Sequence, residues 1–119
     1  MSRIIHIKRV YEQPEESDGY RILVDRLWPR GIKKEQAHVS EWNKEVAPST
    51  ELRTWFDHRP ERFEQFSREY RNELLQKREE LIRIQRLADK QPVTLIYAAK
   101  DPEMNHVVIL CDVLSTIKG

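Results

Sequence analysis

Apolar and polar positions along the chain fall into two kinds of run, short β-branched stretches and longer stripes with spacings of three and four. Arg3 to Tyr11 reads as a strand on Ile4, Ile5, Ile7 and Val10. Residues 12 to 19 then form a loop broken by Pro14 and ended by the turn-forming pair Asp18-Gly19. That loop is too short for a parallel crossover, so the first two strands are either antiparallel neighbours or not adjacent in the sheet.

A second strand, Tyr20 to Leu27, carries the consecutive apolar residues Ile22, Leu23 and Val24, the pattern of a strand buried on both faces at the centre of a sheet. Trp28-Pro29-Arg30-Gly31 turns the chain, because proline cannot donate to a ladder and disfavours helix at the residue before it. Lys33 to Val46 reads as a helix with Ala37 or Val39, Trp42 and Val46 on one stripe. Pro48 ends it, and Ser49 or Thr50 caps a short helix holding Leu52, Trp55 and Phe56.

Pro60 suits the first position of the next helix, whose stripe is Phe63, Phe66, Tyr70 and Leu74. The stripe resumes with Leu81, Ile84 and Leu87, which fits one long bent helix or two shorter ones. Val93 to Ala99 is a further buried strand opened by Pro92. After the loop 100–104, Asn105 caps a last helix bearing Val107, Leu110, Cys111, Leu114 and Ile117, with Met104 and Ile109 at the positions of a hydrophobic staple.

These elements predict a single α/β domain over residues 1–119, with a small, mainly parallel sheet of about three strands flanked by helices. At 119 residues there is room for one hydrophobic core. Lys and Arg total 21 against 20 Asp and Glu, so no global field draws the protein to nucleic acid or an anionic membrane, and any basic site must be local. The arginines of residues 59–86 are interleaved with glutamates, as on a solvated face. A single cysteine, no signal peptide and no apolar run near the roughly 20 residues of a membrane span point to the cytoplasm.

Candidate chemistry collects where strands end, since an open α/β sheet binds ligands beyond the carboxyl ends of its strands. Asp25, Arg26, Trp28, Arg30 and Gly31 follow the second strand; Lys100, Asp101, Asn105 and His106 follow the last. If those strands are parallel neighbours, both clusters share one rim, suited to an anion held by arginine forks and the last helix's N-terminus. His106 with Asp25 or Asp101 would supply any acid or base catalysis. Against this stands a structural Asp25–Arg26 ion pair.

His58 reads as a turn residue between helices, and His6 and His38 lack ligand spacing, so no metal site is expected. Cys111 lies on an apolar stripe and reads as a buried, inert thiol. Ser49 reads as a cap, and with only three glycines there is no phosphate loop to name a cofactor. Trp28, Trp42 and Trp55 read as core anchors.

VDRLWPRG (24–31), APSTELRTWF (47–56), TLIYAAKD (94–101) and NHVVIL (105–110) closely resemble the YeaO-like bacterial proteins of domain of unknown function 488. The resemblance covers nearly the whole chain and implies a compact α/β domain without an established activity. Longer relatives carry a DVR-like strand end and a Cys-His-Arg triplet opening the last helix. The matching positions here are Asp25-Arg26 and Asn105-His106-Val107, which keep the histidine and lack the cysteine and arginine, against any thiolate chemistry.

Two functional readings follow. One is a cytoplasmic site for an anionic small molecule, a nucleotide or phosphorylated metabolite, with group transfer or hydrolysis if it is an enzyme. The other is a non-catalytic module for nucleic acid or a protein partner.

Overall fold

VTLIY at Val93–Tyr97 is buried at all five positions, and this strand, β4, is the one around which the sheet forms. In the computed structural model, which describes residues 4–118, β4 pairs in parallel with β1 (Ile5–Arg9) on one side and β2 (Tyr20–Leu23) on the other. A two-residue strand, β3 (Glu41–Trp42), pairs in parallel with β2 and completes the order β1-β4-β2-β3. β1 and β2 are therefore not adjacent, and of the two arrangements open to them the sheet takes the second. The Arg3 end of the expected first strand lies outside the described residues.

Side chains alternate across this sheet with the period of two that a strand imposes. Ile22, Val24, Val93, Leu95 and Tyr97 enter the main core, covered by α2 (Thr50–Phe56), α3 (Phe63–Leu75), α4 (Arg78–Lys90) and α5 (His106–Thr116). Leu23 and Ile96 point the other way, into a small cluster with Val10 and Ala37 closed by Trp28, Ile32 and Val39. That second face is finished by polar groups. Lys8 and Arg21 both meet the buried Asp18 carboxylate, and the Thr94 hydroxyl donates to the Asp18 carbonyl at 2.7 Å.

β1 and β4 each stop two residues short of the expected strand, at Arg9 and Tyr97, and three larger differences from the sequence reading follow. The helix expected over Lys33 to Val46 is reduced to α1 (Lys34–Ala37), after which His38 turns left-handed at φ 50°. The open edge of β2 explains the change: Ser40 N–H donates to the Arg21 carbonyl and Asn43 N–H to the Leu23 carbonyl, groups that a helix here would leave unpaired. This makes β3 and brings the strand count among the described residues to four. Second, β2 stops at Leu23, four residues short of Leu27. Third, the stretch beginning at Pro60 opens as a 3-10 turn (Pro60–Arg62) and not as α-helix; of the one or two helices left open beyond it the chain takes two, parted at Gln76-Lys77, where N–H groups close back three residues onto Glu73 and Leu74.

The local capping signals act as read. Ser49 Oγ accepts from Leu52 N–H at the start of α2, and Asn105 Oδ1 accepts from Val108 N–H at the start of α5. None of the helices among the described residues is long and apolar enough to cross a membrane.

Candidate ligand-binding cleft

β2 and β4 are parallel neighbours, but the chain leaves their carboxyl ends in opposite directions. After β2 it covers the small cluster with residues 28–39, whereas after β4 it enters α5 on the main core. Such a divergence opens a crevice at the strand ends, the usual ligand position in an open α/β sheet. A cleft of about 720 Å³ lies there.

Both charged clusters named from the sequence line it. Asp25, Arg26, Trp28 and Arg30 come from the β2 side, Lys100, Asp101, Asn105 and His106 from the β4 side. Gly31 does not line the cleft; it sits at φ 75° in the turn behind Arg30, with open space where a Cβ would stand. Tyr11, Arg53, Phe56, His58 and Phe66 line it as well. Tyr11 is there because β1 runs parallel to β4, a direction its short loop left open. Arg53 and His58 arrive on α2 and its exit, and only the packing of α2 against the sheet ends brings them near Asp25.

Asp25 and Arg26 do not pair with each other. Asp25 Oδ2 accepts the Ala98 N–H at 2.9 Å, and its backbone carbonyl accepts from Trp42 Nε1 at 2.7 Å. Arg26 instead reaches across to residues 44–48, donating from Nε to the Pro48 carbonyl at 2.8 Å and from its terminal nitrogen to the Lys44 and Ala47 carbonyls at 3.3 Å. Asn105 is buried and committed too: besides capping α5, it donates through Nδ2 to the Asp101 carbonyl at 2.7 Å. Asp101 Oδ1 accepts the Glu103 and Met104 N–H groups, which hold its carboxyl below the usual aspartate value.

His106 Nε2 lies 2.9 Å from the Val24 carbonyl oxygen and 3.3 Å from Asp25 Oδ1. A carbonyl has no proton to give, so Nε2 is the donor and the lone pair of the neutral ring is on Nδ1. Asp25 Oδ1 is buried and has no hydrogen-bond partner among the described residues. The dyad is thus arranged with the proton-bearing nitrogen toward the carboxylate, and the Tyr70 ring meets the imidazole edge-on at 6.0 Å.

The remaining cations are differently placed. Arg30, Arg53 and Lys100 are exposed, and their side chains have no hydrogen bond or ion pair among the described residues. The cleft therefore has three uncommitted cationic groups, while both of its carboxylates already hold backbone N–H groups. No group of three or more His, Cys, Asp or Glu side chains suited to a metal occurs among the described residues. Cys111 is half-buried, not fully buried as its stripe position predicted; burial raises its thiol pKa, with the Asp112 charge adding.

A family model described as the inactive DUF488-N3 subclade matches residues 4–117. The chain belongs to the DUF488 family. It is 50% identical over 113 residues to YeaO, an uncharacterized protein of Escherichia coli (strain K12), spanning 95% of this chain and 98% of that one. Uncharacterized proteins of Mycobacterium tuberculosis (Rv3073c) and Mycobacterium bovis (Mb3100c) are each 40% identical over 111 residues, 93% of either chain. No solved structure matches. The match over nearly the full chain places Asp25 to Gly31 and Lys100 to His106 inside a family-wide unit, not in an appended segment.

Proposed function

We propose that this DUF488 protein is a cytoplasmic binding protein that holds an anionic small molecule, a nucleotide or phosphorylated metabolite, in the cleft at the ends of β2 and β4 and does no chemistry on it. The observation that carries the reading is the imbalance of commitments in the cleft. Arg30, Arg53 and Lys100 are free to meet an anion and outnumber the two carboxylates of the cleft, of which Asp25 Oδ2 and Asp101 Oδ1 are turned to backbone N–H groups. α5 adds the positive end of an eleven-residue helix at the same rim.

The groups that could do chemistry are taken up by the fold. His106 spends Nε2 on a backbone carbonyl, Asn105 spends both ends of its amide on the fold, and the Cys-His-Arg triplet of longer relatives has asparagine at its first position here. The subclade's description as inactive agrees. The nucleic-acid alternative is disfavoured because the basic helix faces are largely neutralised: Arg68 pairs with Glu64, Arg71 with Asp112, Lys77 with Glu45, and Arg83 with Glu41 and Glu80.

The experiment is a thermal-shift and calorimetric titration with adenosine monophosphate, ribose 5-phosphate and inorganic phosphate. A ligand of the native state raises the melting temperature by mass action, by the equivalent of about 2.7 kcal/mol at a hundredfold excess over Kd. No shift with any of the three overturns the reading. A shift with slow turnover of the phosphate ester would restore the catalytic one.

A further inference from the structure

His58 is held in the cleft by a backbone conformation that its own side chain opposes. Helix α2 ends on a left-handed residue, Asp57 at φ 48°, ψ 37°, its N–H bonded to the Arg53 carbonyl. The chain then places a second residue, His58, at φ 54°, and closes the turn with Arg59 N–H on the Phe56 carbonyl at 3.0 Å. Positive φ at both central residues is the turn that Asn-Gly or Asp-Gly makes without strain. Here histidine stands where glycine would relax it.

The other left-handed histidine is different. His38 ends α1, and its carbonyl accepts Arg21 Nε at 3.0 Å, so the strain there is tied to a buried structural contact. The His58 side chain has no hydrogen bond among the described residues, yet it lines the cleft with Arg53, near the aromatic wall in which Phe56 stacks on Phe66 at 4.3 Å. Its ring packs against Phe56, tilted 48° with centroids 6.1 Å apart, a contact that holds the ring at the cleft and uses neither ring nitrogen. A left-handed residue at a cleft whose ring nitrogens have no partner in the fold is placed to offer them to a ligand.

We infer that His58 is a ligand contact, a hydrogen-bond donor to the anionic group beside Arg53. The inference rests on the proposed binding function of the cleft, and its test separates the two. The probes are adenosine monophosphate and inorganic phosphate, titrated calorimetrically into the wild type, His58→Gly and Asp57→Gly. Both variants relieve a positive φ, so both should melt at or above the wild type, by about 3 °C where the relief is complete. Only His58→Gly should bind about tenfold more weakly, the loss of one hydrogen bond to a charged group, and it should do so for both probes.

His58→Asn, which tolerates the left-handed region and keeps a donor, should recover part of the affinity. Wild-type affinity in His58→Gly overturns the role of His58 alone. A lower melting temperature in His58→Gly overturns the strain argument. Failure of the wild type to bind either probe overturns the inference together with the cleft reading beneath it.

Discussion

Asp25 accepts the backbone N–H of Ala98 at 2.9 Å, so a side chain just past the end of β2 does what the next rung of the sheet would have done for β4. The two strands are held together at the point where their backbones part, and the cleft stays open without an unpaired N–H at its floor. Asp25→Ala should cost about 1–3 kcal/mol, since it strands the Ala98 donor. Asp25→Asn can still present its amide oxygen to Ala98 and should cost clearly less. Urea unfolding of the two variants checks this; equal losses would mean the carboxylate serves His106 and not the strand end.

Arg26 and Arg30 are four residues apart on one loop, yet they should fail differently. Arg26 holds the carbonyls of residues 44–48, so Arg26→Ala should lower stability by about 2 kcal/mol, and Arg26→Lys should restore little because an ammonium cannot span those acceptors. Arg30→Ala removes an exposed side chain without a partner and should stay within about 0.5 kcal/mol of the wild type while weakening phosphate binding. Paired denaturation and titration data would decide it. A stability loss in Arg30→Ala with normal binding would move this arginine out of the site.

Gly19 and Gly31, both at positive φ, separate strain from space. A Cβ on Gly19, at φ 65°, would fall against the Pro92 carbonyl oxygen, far inside van der Waals contact, because β2 starts alongside β4 there. Gly19→Ala should therefore cost roughly 3 kcal/mol or more. Gly31, at φ 75°, has open space around the same position, so Gly31→Ala should cost only the left-handed penalty of about 1 kcal/mol. Melting curves of the pair measure the difference directly.

What could be read from the chain was whatever is decided locally. β4 announces itself as a continuous apolar run, the Ser49 and Asn105 caps depend on residues three positions away, and the Asp25 and His106 clusters are visible because strands end beside them. β3 was hidden for the opposite reason. Residues 33–46 carry a helical stripe, and only the unpaired edge of β2 turns two of them into a strand. The position of β1 depends on its register with β4, about ninety residues on, and Arg53 and His58 enter the cleft through the packing of α2; no periodicity records either.

Asp18 makes the far face of the sheet sensitive to acid. Burial alone would raise its carboxyl, but the Lys8 ammonium, the Glu15 N–H and the Arg21 guanidinium outweigh that and hold it below its ordinary 3.8. A carboxyl whose pKa is lower folded than unfolded adds stability that is fully present above the unfolded value and is lost as pH falls through the folded one. Unfolding free energy should therefore hold from neutrality to about pH 4 and then drop, and the drop should be shallower in Asp18→Asn. At neutral pH that variant should already be about 3–5 kcal/mol less stable, because it leaves the buried Arg21 charge without its counter-ion. The informative quantity is the difference between the two pH profiles. If that difference is constant from pH 7 to pH 2, the Lys8–Asp18–Arg21 cluster contributes shape to this face and no charge-dependent stability.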